Sequence, residues 1–226
     1  MKANLQGADH DLDPVLYKIA FKYISNNSQI LNLGCGMRFN FEKEIIKEKK
    51  VNILSADILN IQNVPNTIKF KKLSVEKKFQ FKEKFDIITF FELIEHIDKT
   101  DVLLENCFNN LKKDGLLIFS VPNLSSIYGR IELLLGFQPH ILEVSNKNSN
   151  FGTGIFGRYN NPNNNSPVHH IRGISHKAIK EMLAYYGFEI ITAIGYEHHF
   201  KILRNLFYLF PSIAPVNIFI CKKIEK

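Results

Sequence analysis

Short apolar runs alternate along the chain with segments in which apolar residues recur every three or four positions. The first segment of the second kind predicts an amphipathic helix that begins at Asp13-Pro14 and ends at Ser25-Asn26-Asn27. Apolar runs then predict strands at 29–33, Val51–Ala56, 67–73, Phe85–Phe90 and Leu116–Val121, the last after the turn Lys113-Asp114-Gly115. Helical spacing at 41–50 and 99–112 fills two of the intervals between them. Such a β-α-β series predicts a parallel sheet with helices on both faces.

The alternation changes between Pro122 and Gly173. A helix is predicted from Leu124 to Leu135, and a stretch rich in Asn, Gly and Pro follows it. We interpret Ser145–Pro167 as a lid or a disordered loop, because long polar segments inside compact domains are usually one or the other. Regular patterns then predict a helix at Ser175–Tyr186, a strand at Phe188–Ile194, an amphipathic segment at 200–210 and a closing strand at Val216–Cys221.

The bulk composition indicates one cytoplasmic domain. A chain of 226 residues with 45% apolar composition can bury one good core. We expect no targeting peptide, because no positively charged stretch followed by an apolar run opens the chain. We expect no transmembrane segment, because the longest uncharged run, Asn205–Cys221, is interrupted by prolines. Cys35, Cys107 and Cys221 lack the spacing of a zinc knuckle or a disulfide framework, which fits a reducing compartment.

Positive charge is concentrated in one part of the chain. The formal net charge is +7, and residues 41–84 hold eleven Lys against six acids. A basic surface attracts phosphates, nucleic acid or anionic headgroups. The competing interpretation is a general bias towards Lys, Asn and Ile, which are all abundant in this sequence.

A glycine-rich turn follows the first strand. Gly34 and Gly36 allow a sharp turn and a close approach of the backbone to a ligand. Asp57 ends the second strand at the separation where a carboxylate accepts hydrogen bonds from the hydroxyls of an adenosine ribose. Asp57 is also a candidate N-cap for a helix that begins at Ile58, and the two roles are compatible.

The loop Leu31-Asn32-Leu33-Gly34-Cys35-Gly36-Met37-Arg38 resembles that of the class I S-adenosylmethionine-dependent methyltransferases, with two departures. Asn32 replaces the usual acid, and its amide can still bind backbone amides of the turn. Arg38 replaces the last glycine and is expected to meet the methionine carboxylate of the cofactor. A dinucleotide motif would need a glycine at Phe39, which argues against a dehydrogenase. The resemblance implies the following cofactor-binding residues: Asn32, Gly34, Cys35, Gly36, Arg38, Asp57, Ile58, Ser74 and Phe91.

Further motifs extend the resemblance over most of residues 28–223. These are Phe85-Asp86-Ile87-Ile88-Thr89, Leu111-Lys112-Lys113-Asp114-Gly115, Ser120-Val121-Pro122-Asn123 and His170-Ile171-Arg172-Gly173-Ile174-Ser175 with the later Gly187-Phe188. The family fold is a seven-stranded, mostly parallel sheet whose last strand is antiparallel. The implied single domain consists of an N-terminal helix (1–27), a cofactor-binding half (28–122), a cap or lid insertion (123–174) and a C-terminal helix with closing strands (175–226).

A cluster of acids and one histidine, Glu92-Leu93-Ile94-Glu95-His96, follows the fourth strand. If a helix begins here, Glu92, Glu95 and His96 share one face at the carboxyl edge of the sheet. Two carboxylates that lie close together repel each other unless a cation or a proton lies between them. Oxygen ligands with one imidazole suit Mg²⁺, Mn²⁺ or Fe²⁺.

This Glu-x-x-Glu-His motif resembles the metal-binding motif of small-RNA 2′-hydroxyl methyltransferases and of ubiquinone-pathway O-methyltransferases. The RNA group uses a further histidine, which implies His170 here, or His169 beside it. A Glu-His pair is also common in this superfamily without a metal. In that case His96 or His170 is the expected general base.

The sequence therefore predicts an O-methyltransferase with His96, His170 and Glu92 as catalytic candidates. The expected acceptor is a vicinal diol of a polar small molecule, such as a sugar or nucleotide-linked sugar of a surface glycan, by analogy only. Alternatives are an RNA ribose, a lipid- or quinone-type acceptor, and a catalytically silent cofactor-binding partner. The intact acidic cluster argues against the silent partner, because such a protein has no reason to keep two repelling carboxylates together.

Overall fold

The computed structural model describes residues 14–155, 167–197 and 200–224. Within these ranges every strand lies where an apolar run predicts one. The strands are β1 (Gln29–Leu33), β2 (Asn52–Asp57), β3 (Lys69–Lys72), β4 (Phe85–Phe91), β5 (Leu111–Pro122), β6 (Phe188–Tyr196) and β7 (Val216–Lys223). The helices are α1 (Pro14–Phe21), α2 (Asn40–Glu48), α3 (Thr100–Asn110), α4 (Ile127–Leu134), α5 (His176–Tyr185) and α6 (Arg204–Leu209).

The strands form one sheet in the order β3-β2-β1-β4-β5-β7-β6. Neighbouring strands from β3 to β5 are parallel, and β7 is antiparallel to both β5 and β6. The predicted fold class is therefore confirmed. The chain runs from β1 outward to β3 and returns to the other side of β1 as β4. The carboxyl ends of β1 and β4 thus border the switch point where open α/β sheets bind ligands.

Alternate residues of the central strands enter two separate cores. Leu31 and Ile88 face the side that α3 and α5 cover, whereas Ile30 and Ile87 face α1 and α2. Strands that are buried on both faces need apolar residues at successive positions, which explains the continuous apolar runs in the sequence. Each fully buried Leu or Ile stabilises the fold by about 1.5–3 kcal/mol, so the two cores hold the strand ends firmly in place.

The fifth strand begins earlier than predicted. Leu111 pairs with Phe85 and Leu116 pairs with Ile87, so the register with β4 slips between these two pairs. Asp114 has φ 59°, which allows the chain to accommodate the slip. The turn predicted at this place is an irregularity inside a longer strand, because residues on both sides of it pair with β4.

The insertion (residues 123–174) is described for 123–155 and 167–174. Its two ends lie side by side, because the Leu124 amide donates to the Ile174 carbonyl over 3.0 Å. Much of the predicted lid, residues 156–166, lies outside the described residues, as does the predicted helix start at Asp13. In the described ranges, no helix combines the length and the apolar character needed to cross a bilayer.

Candidate active site

The glycine turn after β1 is held against the end of β2. The amides of Gly34 and Cys35 both donate to the Ala56 carbonyl, over 2.8 and 3.3 Å. Gly34 has φ 69° and Gly36 has φ 63°, a region that residues with a Cβ adopt at a cost. A Cβ on Gly34 would lie 3.0 Å from Leu93, so the turn is also packed tightly. The sharp turn predicted for these glycines is thus present, and their approach to a ligand stays a prediction.

Asp57 accepts two backbone hydrogen bonds, one of them from this turn. Its Oδ2 accepts the Gly36 amide over 2.9 Å, and its Oδ1 accepts the Leu59 amide over 3.0 Å. The predicted N-cap role is wrong, because residues 58–68 between β2 and β3 form no helix and the Leu59 contact closes a turn instead. Each carboxylate oxygen has a second lone pair, so the expected contact with a ribose is compatible with both hydrogen bonds.

Asn32 does not bind the amides of the turn, which corrects the prediction made for it. Its Nδ2 donates to Glu42 Oε1 over 2.8 Å, and its Oδ1 accepts from Thr89 over 2.9 Å. Ser55 donates to the same Glu42 oxygen over 2.5 Å, and all four side chains are buried. Burial raises the pKa of Glu42, and the hydrogen bonds from Ser55 and Asn32 oppose that shift. The group therefore ties β1, β2, β4 and α2 together beneath the turn.

The other cofactor candidates lie around this turn with different degrees of exposure. Arg38 and Ile58 are exposed, and Cys35 and Ser74 are partly buried. Burial raises the pKa of the Cys35 thiol, with the carboxylates of Glu42 and Asp57 adding to the shift. Cofactor contacts by these residues stay predictions.

Phe91 ends β4, and its side chain belongs to the core beneath α1 and α2. Its ring centroid lies 5.1 Å from those of both Tyr17 and Phe41. A cofactor contact at this position would therefore involve the Phe91 backbone rather than its ring.

The helix predicted to start at Glu92 is absent. Glu92 has φ 45°, and Ile94–His96 form only a single 3₁₀ turn before the backbone becomes extended at Ile97. The three acidic and imidazole groups therefore do not share a helical face. A left-handed residue directly after a buried strand has no periodic signal, so the sequence pattern could not reveal it.

Three of the four predicted metal ligands nevertheless come together. One ligand atom from each of Glu95, His96 and His170 lies within 4.8 Å of the others. The two histidine Nε2 atoms lie 3.7 and 4.0 Å from Glu95 Oε1, and the imidazole rings are 4.8 Å apart. His170, rather than His169, completes this cluster, as the resemblance implied. We refer to these residues as the Glu95–His96–His170 cluster.

The tautomers of both imidazoles follow from their backbone partners. His96 Nδ1 lies 3.0 Å from the His169 carbonyl, and His170 Nδ1 lies 2.8 Å from the Ile141 carbonyl. A carbonyl only accepts, so each Nδ1 carries the hydrogen, and each Nε2 of a neutral ring carries a lone pair. Burial lowers the pKa of His96 to about 4, with the neighbouring His170 contributing, so the His96 ring is neutral at ordinary pH.

Glu95 is the most unusual group in the cluster. Its side chain is 2% exposed, and in the described part of the chain neither carboxylate oxygen has a hydrogen-bond partner. Burial, and then the charge of Glu92, raise the pKa of Glu95 well above its usual range. A buried carboxylate without a partner destabilises the fold, and nitrogen lone pairs beside it add repulsion. A cation or a proton among these atoms would remove both penalties.

The Glu92 side chain contacts Ser120. Its Oε1 accepts from the Ser120 hydroxyl over 2.7 Å, and its backbone amide donates to Ser120 Oγ over 3.1 Å. Burial raises the pKa of Glu92 to about 7, and the Ser120 hydrogen bond lowers it in part. Ser120 holds the Glu92 carboxylate towards β5, so the structure does not bring Glu92 into the cluster with the other three, and its role as a metal ligand stays a prediction.

No sequence pattern indicates the contacts that fix His170. The Glu95 carbonyl accepts the amides of Ile171 and Arg172 over 3.0 and 3.1 Å. Glu143, in the insertion, accepts the amides of Val168 and His169 over 2.7 Å each. These partners are distant in sequence, and only the folded chain brings them together.

Residues 8–193 match a family model described as a methyltransferase domain. The chain therefore belongs to the methyltransferase domain family, and the predicted enzyme class is confirmed.

Solved structures with the same fold carry the description of S-adenosylmethionine-dependent methyltransferases. One from Archaeoglobus fulgidus has a TM-score of 0.62 at 16% identity and covers 92% of each chain. One from Methanosarcina mazei has a TM-score of 0.62 at 15% identity and covers 96% of this chain and 100% of that one. At such low identity the similarity establishes the shared fold.

Curated relatives match shorter stretches. A ubiquinone biosynthesis O-methyltransferase of Actinobacillus pleuropneumoniae is 27% identical over 109 residues, which is 42% of this chain and 46% of that protein. One from Glaesserella parasuis is 49% identical over 41 residues, or 18% of this chain and 17% of that protein. The chain thus spans less than half the length of these relatives.

Proposed function

We propose that the protein is an S-adenosylmethionine-dependent O-methyltransferase that holds a divalent metal ion with the Glu95–His96–His170 cluster. The fold shared with solved methyltransferases supports the methyl donor. So does the glycine turn at the switch point, where Asp57 holds the Gly36 amide over 2.9 Å and lies beside the carboxyl end of β1.

The observation that carries the metal proposal is the state of Glu95. Both of its oxygens are buried without a partner, and two imidazole Nε2 atoms lie 3.7 and 4.0 Å from Oε1. One carboxylate and two neutral imidazoles are suitable ligands for a divalent ion. Imidazole suits first-row transition metals, whereas Mg²⁺ prefers oxygen ligands. Among the expected ions, this donor set favours Mn²⁺ or Fe²⁺ over Mg²⁺.

Methyl transfer to an acceptor hydroxyl would use the metal cluster, Glu92 and the glycine turn in different roles. A divalent ion in this cluster would orient two neighbouring hydroxyls and lower the pKa of one of them. Glu92, which Ser120 holds at the end of β4, is the candidate to receive the hydroxyl proton. The acceptor oxygen then bonds to the sulfonium methyl carbon as the carbon–sulfur bond breaks, and S-adenosylhomocysteine leaves. The turn at Gly34–Gly36 aligns the donor for this in-line attack.

The acceptor we propose is a vicinal diol on an aromatic, quinone-type ring. Chelation by one ion favours two neighbouring hydroxyls, and the relatives named ubiquinone biosynthesis O-methyltransferases favour the ring. A sugar diol, the expectation from analogy, meets the same chelation requirement and belongs in the same assay. The RNA alternative rests on charge. The lysines of β3, however, lie on a sheet edge, where lysine commonly blocks unwanted strand pairing.

The test is a methyl-transfer assay with a catechol, a sugar diol, an RNA 3′ end and a monohydroxyl analogue of the catechol. The enzyme is first dialysed against a chelator and then assayed with Mg²⁺, Mn²⁺ or Fe²⁺ added back. We expect turnover on the catechol that depends on the added ion and fails with the monohydroxyl analogue. Elemental analysis of the purified protein provides an independent measurement of bound metal.

A metal-free mechanism is the competing explanation for the same residues. In that mechanism a proton lies between Glu95 and an imidazole, and His96 or His170 acts as a general base. Full activity after exhaustive chelation, with no metal in the elemental analysis, would favour it. Binding of S-adenosylhomocysteine, measured by calorimetry, should be the same in both mechanisms, because the glycine turn and Asp57 do not depend on the cluster.

A further inference from the structure

Glu143 clamps two successive backbone amides with one carboxylate. Its Oε1 accepts from the Val168 amide and its Oε2 from the His169 amide, each over 2.7 Å. Hydrogen bonds to a charged acceptor are about twice as strong as neutral ones, and the bidentate geometry fixes orientation as well as distance. Glu143 therefore holds the chain directly before His170.

The clamped segment also contacts the Glu95–His96–His170 cluster. The His169 carbonyl accepts from His96 Nδ1 over 3.0 Å, which sets the orientation and the tautomer of that ring. His169 itself has φ 64°, an uncommon left-handed conformation that surrounding constraints help to hold. The Glu143 contact to the His169 amide is one such constraint.

The same stretch of the insertion also orients the second imidazole. His170 Nδ1 lies 2.8 Å from the carbonyl of Ile141, two residues before Glu143. Residues 141–143 thus determine how both imidazoles present Nε2 to Glu95. Groups that orient metal ligands in this way commonly change metal affinity by about 10–100-fold when they are removed.

We propose that Glu143 is a positioning residue for the metal site, through which the insertion controls metal affinity. This inference rests on the proposed function, because it presupposes that the cluster binds a divalent ion. Glu143 holds the backbone before His170 through two hydrogen bonds, and its negative charge also favours a positive charge at His96. When the clamp is lost, the imidazoles lose their common orientation, and the ion loses ligands although every ligand residue is still present.

The experiment measures Mn²⁺ and Co²⁺ binding by calorimetry and by the visible absorption of Co²⁺, without methyl donor or acceptor. Glu143→Ala removes both acceptors, whereas Glu143→Gln keeps one carbonyl oxygen for one of the two amides. We expect the Mn²⁺ affinity to fall by about 10–100-fold in Glu143→Ala and by less in Glu143→Gln. The Co²⁺ spectrum should change in the same order. S-adenosylhomocysteine affinity should stay within about twofold of wild type.

Glu132→Gln is the matched control in the same insertion. Glu132 is buried, and its carboxylate accepts from His140 Nδ1 over 2.7 Å and from the His140 amide over 3.3 Å. If Glu132→Gln lowers Mn²⁺ affinity as much as Glu143→Gln does, general loosening of the insertion explains the loss and the inference is overturned. Wild-type affinity in both Glu143 variants also overturns it.

The wild-type protein separates this inference from the proposed function. If wild type binds no Mn²⁺ or Co²⁺, both fail together. If wild type binds and the Glu143 variants bind equally well, only the role of Glu143 fails.

Discussion

Glu95 and His170 meet across the insertion, with His170 Nε2 4.0 Å from Glu95 Oε1. The backbone brings them together, because the Glu95 carbonyl accepts the amides of the two residues that follow His170. The cluster is therefore part of the fold of the insertion and not a local property of the Glu-x-x-Glu-His segment. Substitutions in the Glu-x-x-Glu-His segment and substitutions in the insertion should therefore both change the metal affinity.

Replacing His170 with Ala should abolish most metal binding and leave the fold intact. His170 is partly exposed, so its loss removes a ligand without opening a cavity in the core. Since removal of an orienting group costs about 10–100-fold in metal affinity, removal of a ligand should cost at least as much. Equilibrium dialysis with Mn²⁺ measures the affinity, and thermal unfolding checks the fold.

His176→Ala is the control for that variant. His176 Nδ1 lies 2.8 Å from Asn217 Oδ1, and the residue is not part of the Glu95–His96–His170 cluster. Metal affinity should stay at the wild-type level. Equal losses in the two variants would contradict the assignment of His170 as a ligand.

Asp57→Ala should weaken binding of S-adenosylhomocysteine by about 1–3 kcal/mol, the scale for losing hydrogen bonds to a charged group. It removes the expected ribose contact and also releases the amides of Gly36 and Leu59. Calorimetry measures the affinity, and Mn²⁺ binding in the same preparation should be unchanged. Unchanged affinity for S-adenosylhomocysteine, or tight NADH binding instead, would refute the cofactor assignment.

Gly34→Ala should destabilise the protein more than Gly136→Ala does. Both glycines have left-handed backbones, with φ 69° and 79°, which cost any other residue about 1–2 kcal/mol. A Cβ at Gly34 also lies 3.0 Å from Leu93, whereas nothing lies within 4 Å of one at Gly136. Urea unfolding should show the difference, and only Gly34→Ala should lower cofactor affinity. Equal effects would show that the turn is not packed as described.

Glu42→Gln should reduce the pH dependence of stability. Burial raises the pKa of Glu42 in the folded protein above its unfolded value of about 4.3. The folded state therefore binds the proton more tightly, and its stability falls as the pH rises from the unfolded value through the folded one. Gln cannot ionise, so the free energy of unfolding of the variant relative to wild type should increase with pH. Urea unfolding at pH 5 and pH 8 measures this, and identical differences at both values would contradict it.

The secondary structure was largely predictable, because apolar periodicity reports burial directly. The run at 29–33 became β1, and the helical spacing at 41–50 became α2. The start of β5 was missed, since pairing of Leu111 with Phe85 is a contact between strands that leaves no periodic signal. The predicted role of Asn32 failed for a related reason, because its partners Glu42 and Thr89 come from other elements.

The sequence by itself determined the family, the glycine turn with Asp57, and the types of residue available for a metal site. These depend on local spacing and on side-chain chemistry, which the order of residues contains. The tertiary structure alone decided which of the acids and histidines meet. In the folded chain Glu92 accepts a hydrogen bond from Ser120, and Glu143 accepts from the amides of the two residues before His170. Such contacts arise from the left-handed residue after β4 and from the path of the insertion, because both depend on how distant segments pack.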